Sequence, residues 1–127
     1  LFLDADLDGR PDFFTANGHL EPDIAAAQPG QAYPQPAQLF WNTGEAGRLW
    51  DPATPARLGP DLFTPLVGRG CATLDYDGDG DLDLVVTENG GPARLFRNDN
   101  ATGNNWIAFK LTGDGTTTNR DAAGAEV

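Results

Sequence analysis

Aspartates at two places in the chain recur with the spacing of a calcium-binding loop. Each stretch carries carboxylates at loop positions 1, 3, 5 and 9 and a glycine at position 6. Calcium takes oxygen ligands at about 2.3–2.6 Å, and carboxylates at alternate positions supply several of them from one short segment. The glycine permits the sharp turn after the third carboxylate. The sequence therefore predicts about two bound Ca²⁺ ions, one for each loop.

The predicted ligands lie in residues 4–12 and 75–83. The first loop offers the carboxylates of Asp4, Asp6, Asp8 and Asp12 and the backbone carbonyl of Arg10. The second loop offers the carboxylates of Asp75, Asp77, Asp79 and Asp83 and the backbone carbonyl of Asp81. Crowded carboxylates repel one another, and a divalent cation turns that repulsion into attraction. We expect structural ions that hold together the strands on either side of each loop.

The residues after position 9 distinguish these loops from an EF-hand. An EF-hand needs a bidentate glutamate at position 12 and a following amphipathic helix. Position 12 is Thr15 in the first loop and Val86 in the second. The apolar runs that follow position 9, Phe13-Phe14 and Leu84-Val85-Val86, are typical of strands. The Gly-Gly-x-Gly-x-Asp pattern of calcium-binding β-helix repeats is absent. Each loop is therefore predicted to connect two strands.

The charge of the chain is strongly acidic. Eight basic and 19 acidic residues give a formal net charge of -11, and nine of the acids lie in the two loops. The few basic residues are scattered singly, so the electrostatic footprint of a nucleic-acid or anionic-lipid binder is missing. No stretch approaches the length of a membrane span. The single cysteine, Cys71, excludes a disulfide within the chain, and we expect it to be a small buried strand residue.

Calcium loops of modest affinity suit an environment with millimolar calcium. The sequence therefore predicts a secreted or cell-surface protein. No signal-peptide pattern is present, and the chain begins with Leu1. We expect the natural amino terminus to lie upstream of this residue.

The chain also contains a longer internal repeat. The acidic loops begin at Asp4 and Asp75, and each is followed by a related segment, Leu39-Phe40-Trp41-Asn42 or Leu95-Phe96-Arg97-Asn98. The two segments are closer together in the chain than the two loops are, which predicts an insertion of about 15 residues in the first repeat. Residues 21–38, rich in proline, alanine and glutamine, are the expected place for it, as an irregular or polyproline-like loop.

Periodicity elsewhere favours short strands. We expect them at residues 38–42, 48–51, 67–74, 82–87 and 93–97, with residues 43–47 as a hairpin connection. The alternation of Ile107, Phe109 and Leu111 with their neighbours predicts a further half-buried strand. Proline and glycine, 10 and 16 residues respectively, are too frequent for long helices.

A repeat of about 60 residues with three or four short strands has the size of one β-propeller blade. Such units bury their faces only by stacking on neighbours, and two blades cannot close a ring. The predicted fold class is therefore all-β, a partial β-propeller of about two blades. We expect the sequence to be a fragment, or a partial domain whose exposed faces need further blades.

Two stretches resemble known families. Residues 68–86, with Asp75 to Asp83 at their centre, resemble the FG-GAP or VCBS repeat, as in the propellers of integrin α-chains. Residues 105–111, together with Asn119-Arg120-Asp121 and Gly124-Ala125, look like the beginning of an ASPIC/UnbV domain. In the family related to cartilage acidic protein, that domain follows the FG-GAP propeller directly.

The resemblance implies three units. Residues 1–60 are a first blade that lacks its start, residues 61–103 are a second blade, and residues 104–127 are the truncated start of an ASPIC/UnbV domain. One departure is Arg10-Pro11, which replaces the more usual acidic or asparagine pair and leaves the ligand set intact.

Several other residues carry a less specific signal. His19, the only histidine, has no identifiable catalytic partner nearby, and we interpret it as a loop residue that orders the chain. The tryptophans are expected in the core at blade interfaces rather than on a carbohydrate platform; they are Trp41, Trp50 and Trp106. Arg120 is interpreted as a salt-bridge or turn residue rather than a ligand contact. Residues 100–102 match a glycosylation sequon, a short motif with a high chance frequency.

The sequence predicts a binding module rather than an enzyme. Paired carboxylates serve as acid and base in glycosidases, but ion-bound carboxylates have lowered pKa values and no free proton. The predicted function is that of a calcium-binding extracellular β-propeller module that binds protein or glycan in adhesion. The alternative is an accessory or partial domain of a secreted enzyme whose active site lies outside this sequence. An architectural spacer in a large surface protein is a further possibility.

Overall fold

The chain forms two antiparallel β-sheets, and a few single turns of helix lie in the connections between strands. This description rests on a computed structural model, which describes residues 1–100 and 102–126. The first sheet has the order β1-β2-β3-β4. Its strands are β1 (Phe2–Leu3), β2 (Asp12–Thr15), β3 (Gln38–Glu45) and β4 (Arg48–Pro52). The all-β class predicted from the sequence is confirmed.

The second sheet has three strands in the order β5-β6-β7. They are β5 (Gly68–Leu74), β6 (Asp83–Glu88) and β7 (Arg94–Phe96). The helices are single turns: α1 (Ile24–Ala27) within the proline-rich insertion, α2 (Pro55–Leu58), and a 3₁₀ turn at Asp61–Phe63. Each expected strand between residues 38 and 97 is present, with ends that agree to within a few residues.

The alternation of side chains gives each sheet two different faces. In the first sheet, Phe2 pairs with Phe13 and Phe13 with Phe40, so these rings lie on one face. Phe14 pairs with Leu39 on the opposite face. Because successive residues of a strand point to opposite sides, the run of apolar residues in β2 supplies both faces. The second sheet packs against the face that carries Phe14.

The core lies between the two sheets. Leu3, Phe14 and Leu39 from the first sheet belong to one apolar cluster with Leu84 and Val86 from β6. The side chains of Phe14 and Val86 are completely buried. The two repeats therefore bury apolar surface against each other, as stacked repeat units do.

The prediction of a strand around residues 107–111 is wrong. The structure has no strand between residues 102 and 126, and Ile107 and Phe109 are 75% and 59% exposed. Alternation reports only an amphipathic pattern, whereas a strand needs a neighbour that pairs with its backbone N–H and C=O groups. In this part of the chain the described residues provide no such neighbour.

The prediction that all three tryptophans lie in the core is correct for one of them. Trp41 is buried, whereas Trp50 and Trp106 are 38% and 49% exposed. Cys71 lies on β5 as expected but is only half-buried. The middle residue of the glycosylation sequon, Ala101, and the last residue, Val127, lie outside the described residues. Within that described part, no helix has the length and apolar character needed to cross a membrane.

Candidate metal centres

The first acidic loop connects β1 to β2 and gathers three carboxylates. Asp4, Asp6 and Asp8 each present an oxygen within 4.8 Å of the others. Two ligands on opposite sides of one calcium ion, each at about 2.4 Å, are separated by about this distance. The three carboxylates are therefore close enough to be candidate ligands of one ion.

The second loop connects β5 to β6 and repeats this arrangement. Asp75, Asp77 and Asp79 also present oxygens within 4.8 Å of one another, and all three residues are exposed. The carboxylates at positions 1, 3 and 5 thus come together in both loops, where the sequence spacing places them.

The carboxylate at position 1 organises the turn in each loop. Asp4 accepts hydrogen bonds from the backbone N–H groups of Asp8 and Gly9, at 3.0 and 2.9 Å. Asp75 accepts from Gly78 and Gly80, at 2.7 and 3.2 Å. The glycine at position 6 has a positive φ in both loops, 84° for Gly9 and 93° for Gly80. A glycine adopts this left-handed backbone without the steric cost that a Cβ imposes.

The aspartate at position 9 is buried and tied to the backbone. The Oδ2 atom of Asp12 accepts from the N–H of Ala5 at 3.0 Å, and its Oδ1 atom accepts from the N–H of Asn42 at 2.8 Å. Asp12 is 1% exposed. A carboxylate has about four lone-pair sites, so these two bonds leave capacity for an ion.

The second repeat forms the same pair of bonds. Asp83 accepts from the N–H of Tyr76 at 2.7 Å and from the N–H of Asn98 at 2.8 Å, and it is fully buried. In both repeats the carboxylate therefore joins the start of its own loop to the asparagine that ends the Leu-Phe segment. Neither Asp12 nor Asp83 belongs to the close group of three carboxylates.

Position 7 differs between the loops. In the first loop, the guanidinium of Arg10 forms an ion pair with Asp8 and donates through Nε to the carbonyl of Asn42 at 2.9 Å. In the second loop, Asp81 is 4% exposed, and its Oδ2 atom accepts from the N–H of Asn100 at 3.1 Å. The second loop therefore carries more negative charge than the first.

Burial and mutual repulsion perturb three of the loop carboxyls. Burial raises the pKa of Asp6, and the charges of Asp8, Asp12 and Asp4 raise it further. Burial likewise raises the pKa of Asp12, although its bonds from the N–H groups of Asn42 and Ala5 oppose the shift. The pKa of Asp81 is raised by burial and by its neighbour Asp79. A cation placed among these groups relieves the same repulsion.

The donor atoms fit a hard divalent cation. All side-chain ligands predicted in the loops are carboxylate oxygens, the type that calcium prefers. The Oδ1 atoms of Asp6 and Asp81 are buried and have no hydrogen-bond partner among the described residues. A buried charged oxygen without a partner is costly, and a bound cation removes that cost.

Residues that follow β7 stabilise the first loop by hydrogen bonds. Asn98 donates through Nδ2 to the carbonyl of Ala5 at 2.8 Å. Thr102 and Asn104 both donate to the carbonyl of Asp6, at 3.0 and 2.9 Å. Sequence reasoning missed these positioning residues. The only available signal was the recurrence of asparagine at the end of both Leu-Phe segments.

A cleft of about 750 Å³ opens between the two sheets on the side of α2. Its lining includes Trp41, Phe96 and the arginines Arg57, Arg94 and Arg97. The guanidinium of Arg57 lies 4.6 Å from the centre of the Trp41 ring, a cation–π contact. Asp61 and Asp99 also line the cleft, and Arg97 is paired with Asp99 at 2.7 Å. The cleft therefore combines apolar walls with charged groups of both signs.

His19 and Arg120 lie in loops. The Nδ1 atom of His19 accepts from the N–H of Glu21 at 3.0 Å, and the His19 carbonyl accepts from Arg69 at 2.8 Å. The interpretation of His19 as a residue that orders its loop is consistent with these contacts. The carbonyl of Arg120 accepts from the N–H of Gly113 at 3.1 Å, which ties it into a turn.

No family model, curated protein or solved structure matches the chain.

Proposed function

We propose that this chain is a calcium-binding module, built from propeller-type repeats, that acts outside the cell and binds a protein or a glycan. The observation that carries the proposal is a duplicated loop geometry. Three clustered carboxylates and a buried aspartate tied to two backbone N–H groups occur in both repeats. Duplication of a whole bonding pattern favours a shared ligand over a chance accumulation of charge.

Calcium in these loops has a structural role in the proposal. The carboxylates at positions 1, 3, 5 and 9 and the carbonyl at position 7 supply the oxygens. Each loop joins two adjacent antiparallel strands, β1 to β2 or β5 to β6. An ion held there fixes the connection between those strands and offsets two negative charges. Folding is thereby coupled to calcium concentration.

The two sites are expected to differ in affinity. The second loop has five aspartates, whereas the first has four and an ion pair between Arg10 and Asp8. Calcium affinity in loops of this kind depends on the charge count of the ligands. We therefore expect the second loop to fill at the lower calcium concentration.

The cleft between the sheets supports the ligand-binding part of the proposal. Aromatic and arginine side chains are enriched at the energetic centres of protein interfaces. Trp41, Phe96 and Arg57 line this cleft together. It is the surface on which we place protein or glycan binding.

Thermal unfolding with and without calcium tests the proposal. A ligand that binds only the folded state raises the melting temperature, so millimolar calcium is expected to stabilise the protein relative to the same buffer with EDTA. The double variant Asp77→Ala, Asp79→Ala removes two ligands of the second loop and is expected to lose a large part of this response.

Asp23→Asn is the matched control, because Asp23 is exposed and outside both loops. It removes one negative charge and is expected to keep the full response. Identical melting curves with calcium and with EDTA for the unmodified chain would overturn the proposal.

A further inference from the structure

The two repeats have equivalent faces. The correspondence is found by aligning the two acidic loops and the two Leu-Phe segments residue by residue. We call the front face the one formed by Leu3, Phe14 and Leu39 in the first repeat and by Leu74, Val85 and Leu95 in the second. The rear face is formed by Phe2, Phe13 and Phe40 in the first repeat and by Thr73, Leu84 and Phe96 in the second. Strand pairing places each set on one side of its sheet.

The hydrogen bonds confirm that these positions correspond. Asp12 accepts from the N–H of Asn42 at 2.8 Å, and Asp83 accepts from the N–H of Asn98 at the same distance. These bonds fix the loop strand against the Leu-Phe strand in the same way in both repeats. A residue of one repeat therefore occupies the same place in its sheet as its counterpart in the other.

The interface inside the chain joins unlike faces. The front face of the first repeat is buried, with Leu3, Phe14 and Leu39 at most 5% exposed. It packs in one apolar cluster with Leu84 and Phe96, which belong to the rear face of the second repeat. The structure thus contains one example of a front face packed on a rear face.

The remaining two faces are the complementary pair, and both are apolar and open. On the rear face of the first repeat, Phe2 is 63% exposed and Phe13 is half-buried. The rings of Phe2, Phe40 and Trp50 lie 5.2 to 6.1 Å from the ring of Phe13, measured between centroids. On the front face of the second repeat, Leu74 and Leu95 are 38% and 45% exposed.

We propose that the rear face of the first repeat binds the front face of the second repeat in another copy of this chain, in the geometry of the internal interface. The internal interface supports this contact, because the same two types of face already pack together within one molecule. Contiguous exposed aromatic side chains of this kind mark interaction surfaces. The contact is heterologous, so successive copies close into a ring or extend as a chain.

Lysine substitutions test this contact without increasing charge repulsion. Phe13→Lys disrupts the rear face of the first repeat, and Leu95→Lys disrupts the front face of the second. Each change makes the net charge less negative, so general repulsion between copies decreases. Leu20→Lys is the matched control, since Leu20 is 83% exposed in a loop outside both faces. Phe2→Lys and Leu74→Lys replace the first two variants if either fails to fold, as judged by circular dichroism.

Sedimentation velocity in the presence of calcium measures the association, and we expect the following masses. The mass of the unmodified chain and of Leu20→Lys rises above the 13.5 kDa of one copy as concentration increases. Phe13→Lys alone and Leu95→Lys alone each remain monomeric. An equimolar mixture of the two forms a dimer and nothing larger, because only one intact front face and one intact rear face remain to meet.

Two results would overturn the proposal. One is an unmodified chain that stays monomeric at every concentration. The other is a face variant that still associates by itself, which would mean that like faces pair or that a different surface is used. Calcium binding by the loops can be followed in the same samples, so failure of this contact is distinguishable from failure of the proposed function.

Discussion

The aspartate at position 9 has a different physical role from the other loop aspartates. Asp12 and Asp83 are buried and accept two backbone N–H bonds each, whereas Asp75, Asp77 and Asp79 are exposed. Sequence spacing predicted the ligand positions but could not separate these roles. The hydrogen-bond donors to these carboxylates at Asn42 and Asn98 are backbone N–H groups. Every residue except proline provides such a group, so the residue type does not predict these bonds.

Replacement of Asp83 by alanine is expected to destabilise the protein even without calcium. Two backbone N–H groups lose their acceptor, and each unpaired donor costs about 1–3 kcal/mol. Asp77→Ala in the same EDTA buffer is the comparison, and its expected change is within about 0.5 kcal/mol. Urea unfolding measures both values. Equal stabilities of the two variants in EDTA would contradict the assigned role of Asp83.

The glycines at position 6 allow a second test at this scale. A Cβ at Gly80 would lie 1.7 Å from Cε2 of Trp106, whereas a Cβ at Gly9 meets nothing within 4 Å. Both residues have positive φ, so alanine costs about 1–2 kcal/mol at either place. Gly80→Ala is expected to cost more, and to shift tryptophan fluorescence, because it displaces the indole. An unchanged emission spectrum for Gly80→Ala would place Trp106 elsewhere.

The raised pKa values of Asp6, Asp12 and Asp81 predict how stability depends on pH in the absence of calcium. Their ordinary value is 3.8, and the folded state shifts each upward. The folded state therefore binds protons more readily than the unfolded state, and its stability is lost as pH rises through the raised values. In EDTA, the free energy of unfolding is therefore expected to increase as the pH falls through the raised values toward 3.8.

The pKa shift of Asp114 has the opposite sign, and it affects stability in a different pH range. Hydrogen bonds from the hydroxyl of Thr117 and from backbone N–H groups lower its pKa. Its contribution is therefore present above pH 3.8 and is lost below it, outside the range of the first effect. Asp6→Asn is expected to flatten the pH dependence above pH 4 and to leave the acid limb unchanged. A slope in EDTA that is equal in Asp6→Asn and the unmodified chain would contradict the shift at Asp6.

At the scale of the element, strand β2 shows how two sheet faces arise from one apolar run. Phe14 is completely buried between the sheets, and Phe13 lies on the opposite, partly open face. The run Phe13-Phe14 identifies a strand, and the alternation of the pleat decides which ring is covered. The sequence alone could not assign the faces, because both rings are equally apolar.

Residues 106–111 show where pattern reasoning fails. Their alternation matches that of a strand, yet Ile107 and Phe109 are exposed and unpaired in the described structure. The successful strands, such as β5, β6 and β7, have apolar patterns and also neighbours within reach along the chain. Pairing is a property of the fold, and local periodicity does not contain it.

Alanine substitution separates the two kinds of segment. Phe14→Ala removes a fully buried ring and is expected to cost about 3–5 kcal/mol. Phe109→Ala removes a ring that is 59% exposed and is expected to change stability by less than about 0.5 kcal/mol. Urea unfolding in calcium measures the pair. A large loss for Phe109→Ala would show that the segment packs as the sequence pattern predicted.

For the whole molecule, duplication is the organising feature. Two sheets with equivalent loops and equivalent faces share one core, and Asn98, Thr102 and Asn104, which follow β7, donate hydrogen bonds to the first loop. The repeat could be found in the sequence, because both the acidic loop and the Leu-Phe segment occur twice in the same order. The packing of a front face on a rear face could not be found in the sequence, because it depends on which sides of two sheets meet.

These contacts connect the proposed metal sites to the core. The first loop is held by Asn98, Thr102 and Asn104, so we expect calcium in either loop to stabilise the whole chain. The central claim is that both loops bind calcium.

Calorimetric titration of the chain with calcium tests that claim most directly. We expect two ions per chain, with one ion remaining in the Asp77→Ala, Asp79→Ala variant and the other site lost. The absence of any heat of binding, together with an unchanged melting temperature in millimolar calcium, would contradict it.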